Sequence, residues 1–395
     1  MNALVDTRRR AWVRWRRASV LLAVAAVLPL AACSSSGSSS SGAASSTSTS
    51  SSASGSGLSA ADQAGLVKAQ TLVSSETPEP TAITDTVKIT KPIPTGLTLD
   101  FVPCGSPECT LEGAIVKKAA SLVGWNTDVL SNDGTPQGDK AAFAQVVRNK
   151  AAGVLYTAIP ASTFASDLPA LKANGTFVSA CCVTDPVGSS TGIGFSIDDP
   201  AEVGPVGGTQ AAWIAVDSKD KANSVFVNIP AFAILASQAT YFKSGMATYC
   251  PTCGVNEIDI ALANLSSAPA TIVSYLRAHP SVDYVVASTD AITIGLPEAI
   301  KAAGLNVKIV GQGATPTNIQ YLHSGEEAAD VAFPYYEVMY SMVNAVIEDK
   351  SGMPVTPSVA PPAWLLTPQN APNTTATVFP VVASYASQYA ALWGK

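Results

Sequence analysis

From residue 97 onward the chain alternates between short apolar runs rich in β-branched residues and longer stretches whose apolar positions recur at helical spacing. The clearest instance is 282–313, where runs at 284–287 and 307–310 flank an apolar segment with helical spacing at 292–303. That pattern predicts strand, helix, strand, and a crossover of this length joins parallel strands covered by helices on both faces. The same alternation predicts strands at 97–102, 127–130, 153–158 and 177–180, with helices at 111–123, 140–149 and 162–173 between them. It then resumes with strand 224–228, helix 236–247, strand 255–260 and helix 268–279. A helix at 337–347, a strand-like run around Trp364 and a closing helix at 380–392 follow. The expected fold class is α/β, with two doubly wound parallel-sheet lobes joined by a multi-strand hinge. Residues 95–221 with 314–350 are assigned to the first lobe, 222–313 with 351–379 to the second, and 380–395 to a C-terminal helix. In open sheets of this kind ligands sit beyond the carboxyl ends of the strands. Ser288, Thr289 and Asp290 stand at one such tip, and Gly311, Gln312 and Gly313 at the next.

The first 94 residues break the pattern. Arg8, Arg9, Arg10, Arg14, Arg16 and Arg17 precede an apolar stretch at 20–30, which ends in Leu30-Ala31-Ala32-Cys33. This resembles a bacterial lipoprotein signal, and the resemblance implies a diacylated Cys33 as the mature N-terminus. The stretch 19–32 is shorter than the about 20 residues that a transmembrane span requires. Residues 34–57 are almost wholly Ser, Gly, Ala and Thr, a composition that cannot offset chain entropy by burial, so a flexible tether is expected. With the Pro-rich lead-in that follows, 34–94 is read as connection, containing one short helix at 60–74.

Charge narrows the function classes. The net charge of −6 includes +5 from residues 1–32, leaving −11 for the remainder, in which the only arginines are Arg148 and Arg277. No clustered basic face exists to neutralise phosphates, which excludes a nucleic-acid binder. His279 and His323 are the only histidines, too few for a His-rich metal site or a Ser-His-Asp arrangement with any choice of partner. No cofactor fingerprint is found: Gly204, Gly207 and Gly208 follow no strand that opens a βαβ unit. Asp198 and Asp199, just before Pro200, read as helix capping.

Six cysteines remain if Cys33 is lipidated, an even number in an exported protein. Cys104 with Cys109 and Cys250 with Cys253 are the local pairs. Cys181 and Cys182 are then left to a vicinal bridge or to a cross-link from one of them to Cys104 or Cys109. One CxxC without a second pair or histidines is not a zinc site.

The order of elements, with Asn174-Gly175-Thr176-Phe177-Val178 leading into one strand tip and 285–295 leading to Gly311-Gln312-Gly313, resembles the type I periplasmic binding proteins of the ribose- and galactose-binding kind. The similarity covers roughly 96–370. It implies an extracytoplasmic solute-binding lipoprotein that closes two lobes on a small molecule and delivers it to an ABC permease. A monomer held at the cell membrane by its lipid, with neither metal nor cofactor, is expected. The implied ligand-binding residues are Ser106 and Glu108 after the first strand, Cys181 and Cys182 at the fourth strand tip, Thr289 and Asp290, Gln312 and Gly313, and Phe333. Where sugar-binding members have Asp-Arg this chain has Cys181-Cys182, Gly313 replaces an Asp, and Phe333 replaces a Gln. These substitutions predict a ligand less polar than a free hexose, anchored by Asp290 and Thr289. The alternatives are an exported α/β enzyme, either a hydrolase or a thiol-disulfide oxidoreductase, and a ligand receptor for a sensor protein.

Overall fold

Two parallel sheets of the same winding form the molecule. The computed structural model describes residues 58–374 and 378–395. The arginine-rich segment, the apolar stretch, Cys33 and the Ser/Gly-rich residues up to Gly57 lie outside them. In chain order the elements are α1 (Ala60–Glu76), β1 (Thr98–Val102), α2 (Pro107–Leu122), β2 (Asn126–Val129), α3 (Pro136–Asn149), β3 (Gly153–Thr157), α4 (Leu168–Asn174), β4 (Phe177–Cys181) and β5 (Phe195–Ile197). There follow α5 (Pro200–Ser218), β6 (Asn223–Asn228), α6 (Leu235–Tyr249), β7 (Gly254–Asp259), α7 (Ala268–Ala278), β8 (Tyr284–Ala287), α8 (Leu296–Ala302), β9 (Lys308–Gly313), α9 (Pro316–Ser324), β10 (Ala329–Ala332), α10 (Tyr335–Lys350), β11 (Leu365–Leu366) and α11 (Tyr385–Leu392).

The first sheet runs β2-β1-β3-β4-β5, all parallel. The second runs β7-β6-β8-β9-β10-β11, parallel except for the last strand. Both begin 2-1-3, so each lobe has a topological switch point, between β1 and β3 in one and between β6 and β8 in the other. Each sheet is buried on both faces. In the first lobe Phe101, Ile115, Val116, Val343 and Val346 pack on one side, and Phe143, Tyr156, Phe164 and Leu171 on the other. In the second, Ile214, Phe226, Phe242 and Met246 form one layer, and Val225, Val285, Ile272 and Leu296 the opposite one. The helices α5 and α6 lie unusually close, because a Cβ on Gly207 would overlap the backbone of Gln238.

Three sequence-based assignments are corrected. Residues 58–94 are part of the folded body: α1 packs on α5 and α6, and Ile83 and Ile89 enter the core of the first lobe. Asp85 there accepts hydrogen bonds from Ser341, from Asn344 (3.1 Å) and from Tyr389 (2.7 Å). Helix α1 docks through Gly65 and Ala69, small residues that allow close approach without an apolar stripe, so periodicity gives little warning of it. Secondly, α5 belongs with the second sheet, where it packs on α6 and β10, and not with the first lobe. Thirdly, α9 and β10, inside the segment 314–350, also build the second lobe; of that segment α10 packs against β4 and α2. Strand β10 escapes the apolar-run criterion because Asp330 interrupts it.

Candidate functional site

A cleft of about 650 Å³, counting its open mouth, lies where the strand tips of both lobes meet. Its floor is set by the two switch points. After β1 the chain turns through Cys104 and Gly105 into α2, whose first turn is pinned by a Cys104–Cys109 disulfide and brings Ser106, Glu108 and Glu112 to the cleft. Thr157 and Ala158 stand beyond β3, Cys182 beyond β4 and Asp198 beyond β5. Ala158, Cys182 and Asp198 have φ of 54°, 63° and 59°, so three adjacent strand tips turn through the left-handed region without glycine. Such backbone strain persists where the surroundings over-determine it, and it clusters at ligand sites. From the second lobe come Phe232, Ile234, Leu235 and Gln238 after β6, Thr289 after β8, and Gln312 and Gly313 at the end of β9. Phe333 and Tyr335 line the crossover into α10, their rings edge-to-face with centroids 4.8 Å apart.

The lobes are joined across the cleft by a hydrogen bond from Thr289 Oγ1 to Glu108 Oε1 at 3.0 Å, while Ser106 Oγ donates to Glu108 Oε2 at 2.7 Å. Gln238 is oriented by a buried chain: its amide donates to Gln210 Oε1 at 3.0 Å, and the Gln210 amide donates to the carbonyls of Ala287 and Gly311, each at 3.0 Å. Among the described residues, no Lys, Arg or His lines the cleft. Three acids do. Burial pushes the Glu112 carboxyl up to about 8, against a lowering by the Thr157 hydroxyl, with Glu108 and Asp198 adding to the rise. Burial, then Glu202 and Asp199, hold Asp198 well above the usual carboxylate range. Burial and the surrounding acids, Glu108 first, raise the Tyr335 phenol as well.

Seven of the sequence-predicted residues meet in this cleft: Ser106, Glu108, Cys182, Thr289, Gln312, Gly313 and Phe333. Two do not. Cys181 is fully buried within β4, bonded to Cys182. Asp290, expected as the main polar anchor, is fully buried beneath the tip of β9, where it accepts the backbone N–H of Gln312 (3.2 Å) and of Thr315 (2.7 Å). It holds the loop and does not face the cleft. Beside it lie Glu327 and Asp330, also fully buried, and a Cβ on Gly311 would overlap Glu327 Oε1. Sequence reasoning missed Glu112, Thr157, Asp198, Phe232 and Gln238. Glu112 follows Glu108 by one helical turn, a signal lost because the helix was expected to start at 111 and not at Pro107. Asp198 was taken for a cap; Asp199 fills that role, its side chain accepting the N–H of Ala201 at 2.8 Å. The remaining cysteines pair as Cys250–Cys253, so no cross-link runs from Cys181 or Cys182 to the first strand tip.

Residues 111–350 match the model of a family described as periplasmic binding protein domain. No curated protein matches in sequence. Among solved structures, a Mycobacterium smegmatis protein in complex with beta-D-fucofuranose is 20% identical, with a TM-score of 0.62 over 76% of this chain and 98% of that one. A galactofuranose binding protein is 16% identical, with a TM-score of 0.64 over 74% and 99%. An ABC sugar transporter subunit from Rhodobacter sphaeroides is also 16% identical, with a TM-score of 0.61 over 70% and 99%. Two wound lobes, a cleft at their switch points and a family match over most of the folded body lead to one conclusion: the chain belongs to the periplasmic binding protein family, with the type I fold.

Proposed function

We propose that this protein is the solute-binding lipoprotein of an ABC importer, held outside the cell membrane by a lipid on Cys33, and that its two lobes capture a polyhydroxylated small molecule with an apolar face. The observation that carries the reading is the cleft itself. Hydroxyl and carboxyl groups of Ser106, Glu108, Glu112, Thr157 and Thr289 share the lining with the rings of Phe232 and Phe333. Such a lining matches a molecule with hydroxyls along one edge and a C–H face along the other. The Thr289–Glu108 bridge supports hinge closure, since a contact between lobes can form only when they approach. The beta-D-fucofuranose complex of the Mycobacterium smegmatis protein and the description of another similar structure as a galactofuranose binding protein agree with this solute class. The acidic, arginine-poor body favours no alternative ligand of the phosphate kind.

Tethering follows from the sequence around Cys33, and the Ser/Gly-rich stretch at 34–57 would span some 25–30 Å at about 5–6 Å × √n. Membrane fractionation of Cys33→Ala tests it: the variant should leave the membrane pellet, and complete retention there would overturn the lipoprotein reading. Thermal shift against pentoses, hexoses and polyols tests the solute class. A bound sugar adds RT ln(1 + [L]/Kd), about 2.7 kcal/mol at a hundredfold excess over Kd.

A further inference from the structure

The cleft poses an electrostatic question that a neutral sugar leaves open. Of its three acids, Glu108 has both oxygens engaged, by Ser106 and Thr289. Glu112 is 3% exposed and its Oε2 has no well-formed hydrogen bond; Thr157 Oγ1 beside it is in the same condition. Asp198, 5% exposed, takes part in hydrogen bonding through its backbone N–H to Glu202. Acids removed from water without a partner stay neutral unless a cation meets them. The described lining contains no such cation.

We propose that the solute recognised in this cleft carries a protonated amine, which sits between Glu112 and Asp198 and the rings of Phe232, Phe333 and Tyr335. The proposal rests on the solute-binding reading and names the chemical class of the solute. An ammonium group donates up to three hydrogen bonds, enough for Glu112 Oε2 and for Asp198 together. The aromatic walls offer π faces to the same charge. An organic cation fits better than a bare metal ion, because the sulfur atoms next to Asp198 are joined to each other as a disulfide and one wall of the site is apolar. Anionic solutes find no counter-charge in the described lining. Because burial pushes the Glu112 carboxyl up to about 8, an arriving ammonium ionises it and drives its proton into solution. Glu112 loses that proton to buffer while the solute keeps its own.

The test uses the full chain in detergent and matched probes: D-glucosamine against D-glucose and N-acetyl-D-glucosamine, D-galactosamine against D-galactose, and 1-amino-1-deoxysorbitol against sorbitol. At least one amine should bind ten times or more tightly than its neutral partners, with net proton release read by calorimetry in two buffers of different ionisation enthalpy. Glu112→Gln should reduce the amine's advantage at least tenfold, and Asp198→Asn supplies a second variant if that one folds poorly by circular dichroism. Neutral sugars that bind as well as the amines, without proton release, overturn the proposal and leave the solute-binding reading standing. No binding of any probe at millimolar concentration overturns this proposal and the sugar-like solute class together.

Discussion

Two groups of three acids, one inside the second lobe and one lining the cleft, are built in opposite ways. In the second lobe the three acids bond within their own lobe: Asp290 accepts the amides of Gln312 and Thr315, Asp330 the amide of Ala314 at 3.1 Å, and Glu327 Oε2 the Asn318 Nδ2 at 2.8 Å, while Glu327 Oε1 is enclosed without a well-formed hydrogen bond and lines no cleft. All three sit on elements of one lobe. In the cleft, Glu108, Glu112 and Asp198 rise from one lobe toward the other, and Glu112 Oε2 is left open. Carboxylates whose acceptor sites are consumed by backbone N–H groups hold a loop in shape. A carboxyl with an unused oxygen facing a cavity is available for a solute.

The largest expected effect separates the two groups directly. Asp290→Ala strands the N–H groups of Gln312 and Thr315 in the interior, at about 1–3 kcal/mol each. Relief of the crowding with Asp330 returns part of that. Urea unfolding should therefore show a loss of about 2–4 kcal/mol, and Asp290→Asn, which keeps one acceptor, roughly half as much. Solute affinity of the folded fraction should not move. A fall in affinity with unchanged stability would reverse the assignment and make Asp290 a ligand anchor after all.

Next in size is the pH dependence. Glu112 has its ordinary value of 4.5 in the unfolded chain and about 8 in the fold, so the folded protein holds this proton more tightly. Its contribution is complete below about pH 4.5 and is lost as pH rises through about 8, with a slope of at most about 1.4 kcal/mol per pH unit. Asp290, Glu327 and Asp330 are also raised by burial and share that sign. Stability measured by urea unfolding should fall from pH 5 to pH 8. Glu112→Gln, isosteric with the protonated acid, should flatten the slope by one group's share and leave stability at pH 5 within about 1 kcal/mol. A slope untouched by this substitution would mean that the other buried carboxyls, Asp198 and Glu337 as well as the triad, carry the dependence.

The contrast also explains what could be read in the sequence. The apolar runs at 284–287 and 307–310 are buried on both sheet faces, which is why strand and crossover periodicity were legible there and why the wound architecture followed. Residues at strand tips were legible in the same way: Thr289, Gln312 and Gly313 reach the cleft because a tip is fixed once its strand is. What lay between them was not. Asp290 adjoins Thr289 yet points into the lobe, since neighbouring positions at a tip alternate between cavity and core and no local pattern says which is which. Glu112 and Gln238 come from helix interiors, and Asp198 follows a three-residue strand too short to stand out. That α9 and β10 stay with the second lobe before the chain returns depends on packing between distant segments, and Asp330 disguises that strand.

The smallest expected effect on stability concerns the disulfide that borders the cleft. Cys181 and Cys182 have Cα atoms 3.8 Å apart and close a two-residue loop, against a six-residue loop for Cys104 and Cys109. Chain-entropy stabilisation grows with the logarithm of loop length, giving about 1 kcal/mol for the first and about 2 kcal/mol for the second. Cys181→Ser with Cys182→Ser should therefore cost less stability than Cys104→Ser with Cys109→Ser. Affinity should respond in the other order to its size. Cys182 holds a φ of 63° at the tip next to Asp198, and a serine freed from the bridge no longer needs that left-handed conformation, so the tip can relax away from the solute. Thiol titration of the denatured wild-type protein should find none of these four cysteines free, and calorimetry on the two double variants then compares them. Equal affinity in the vicinal variant and the wild type would show that the tip is held by its strands alone.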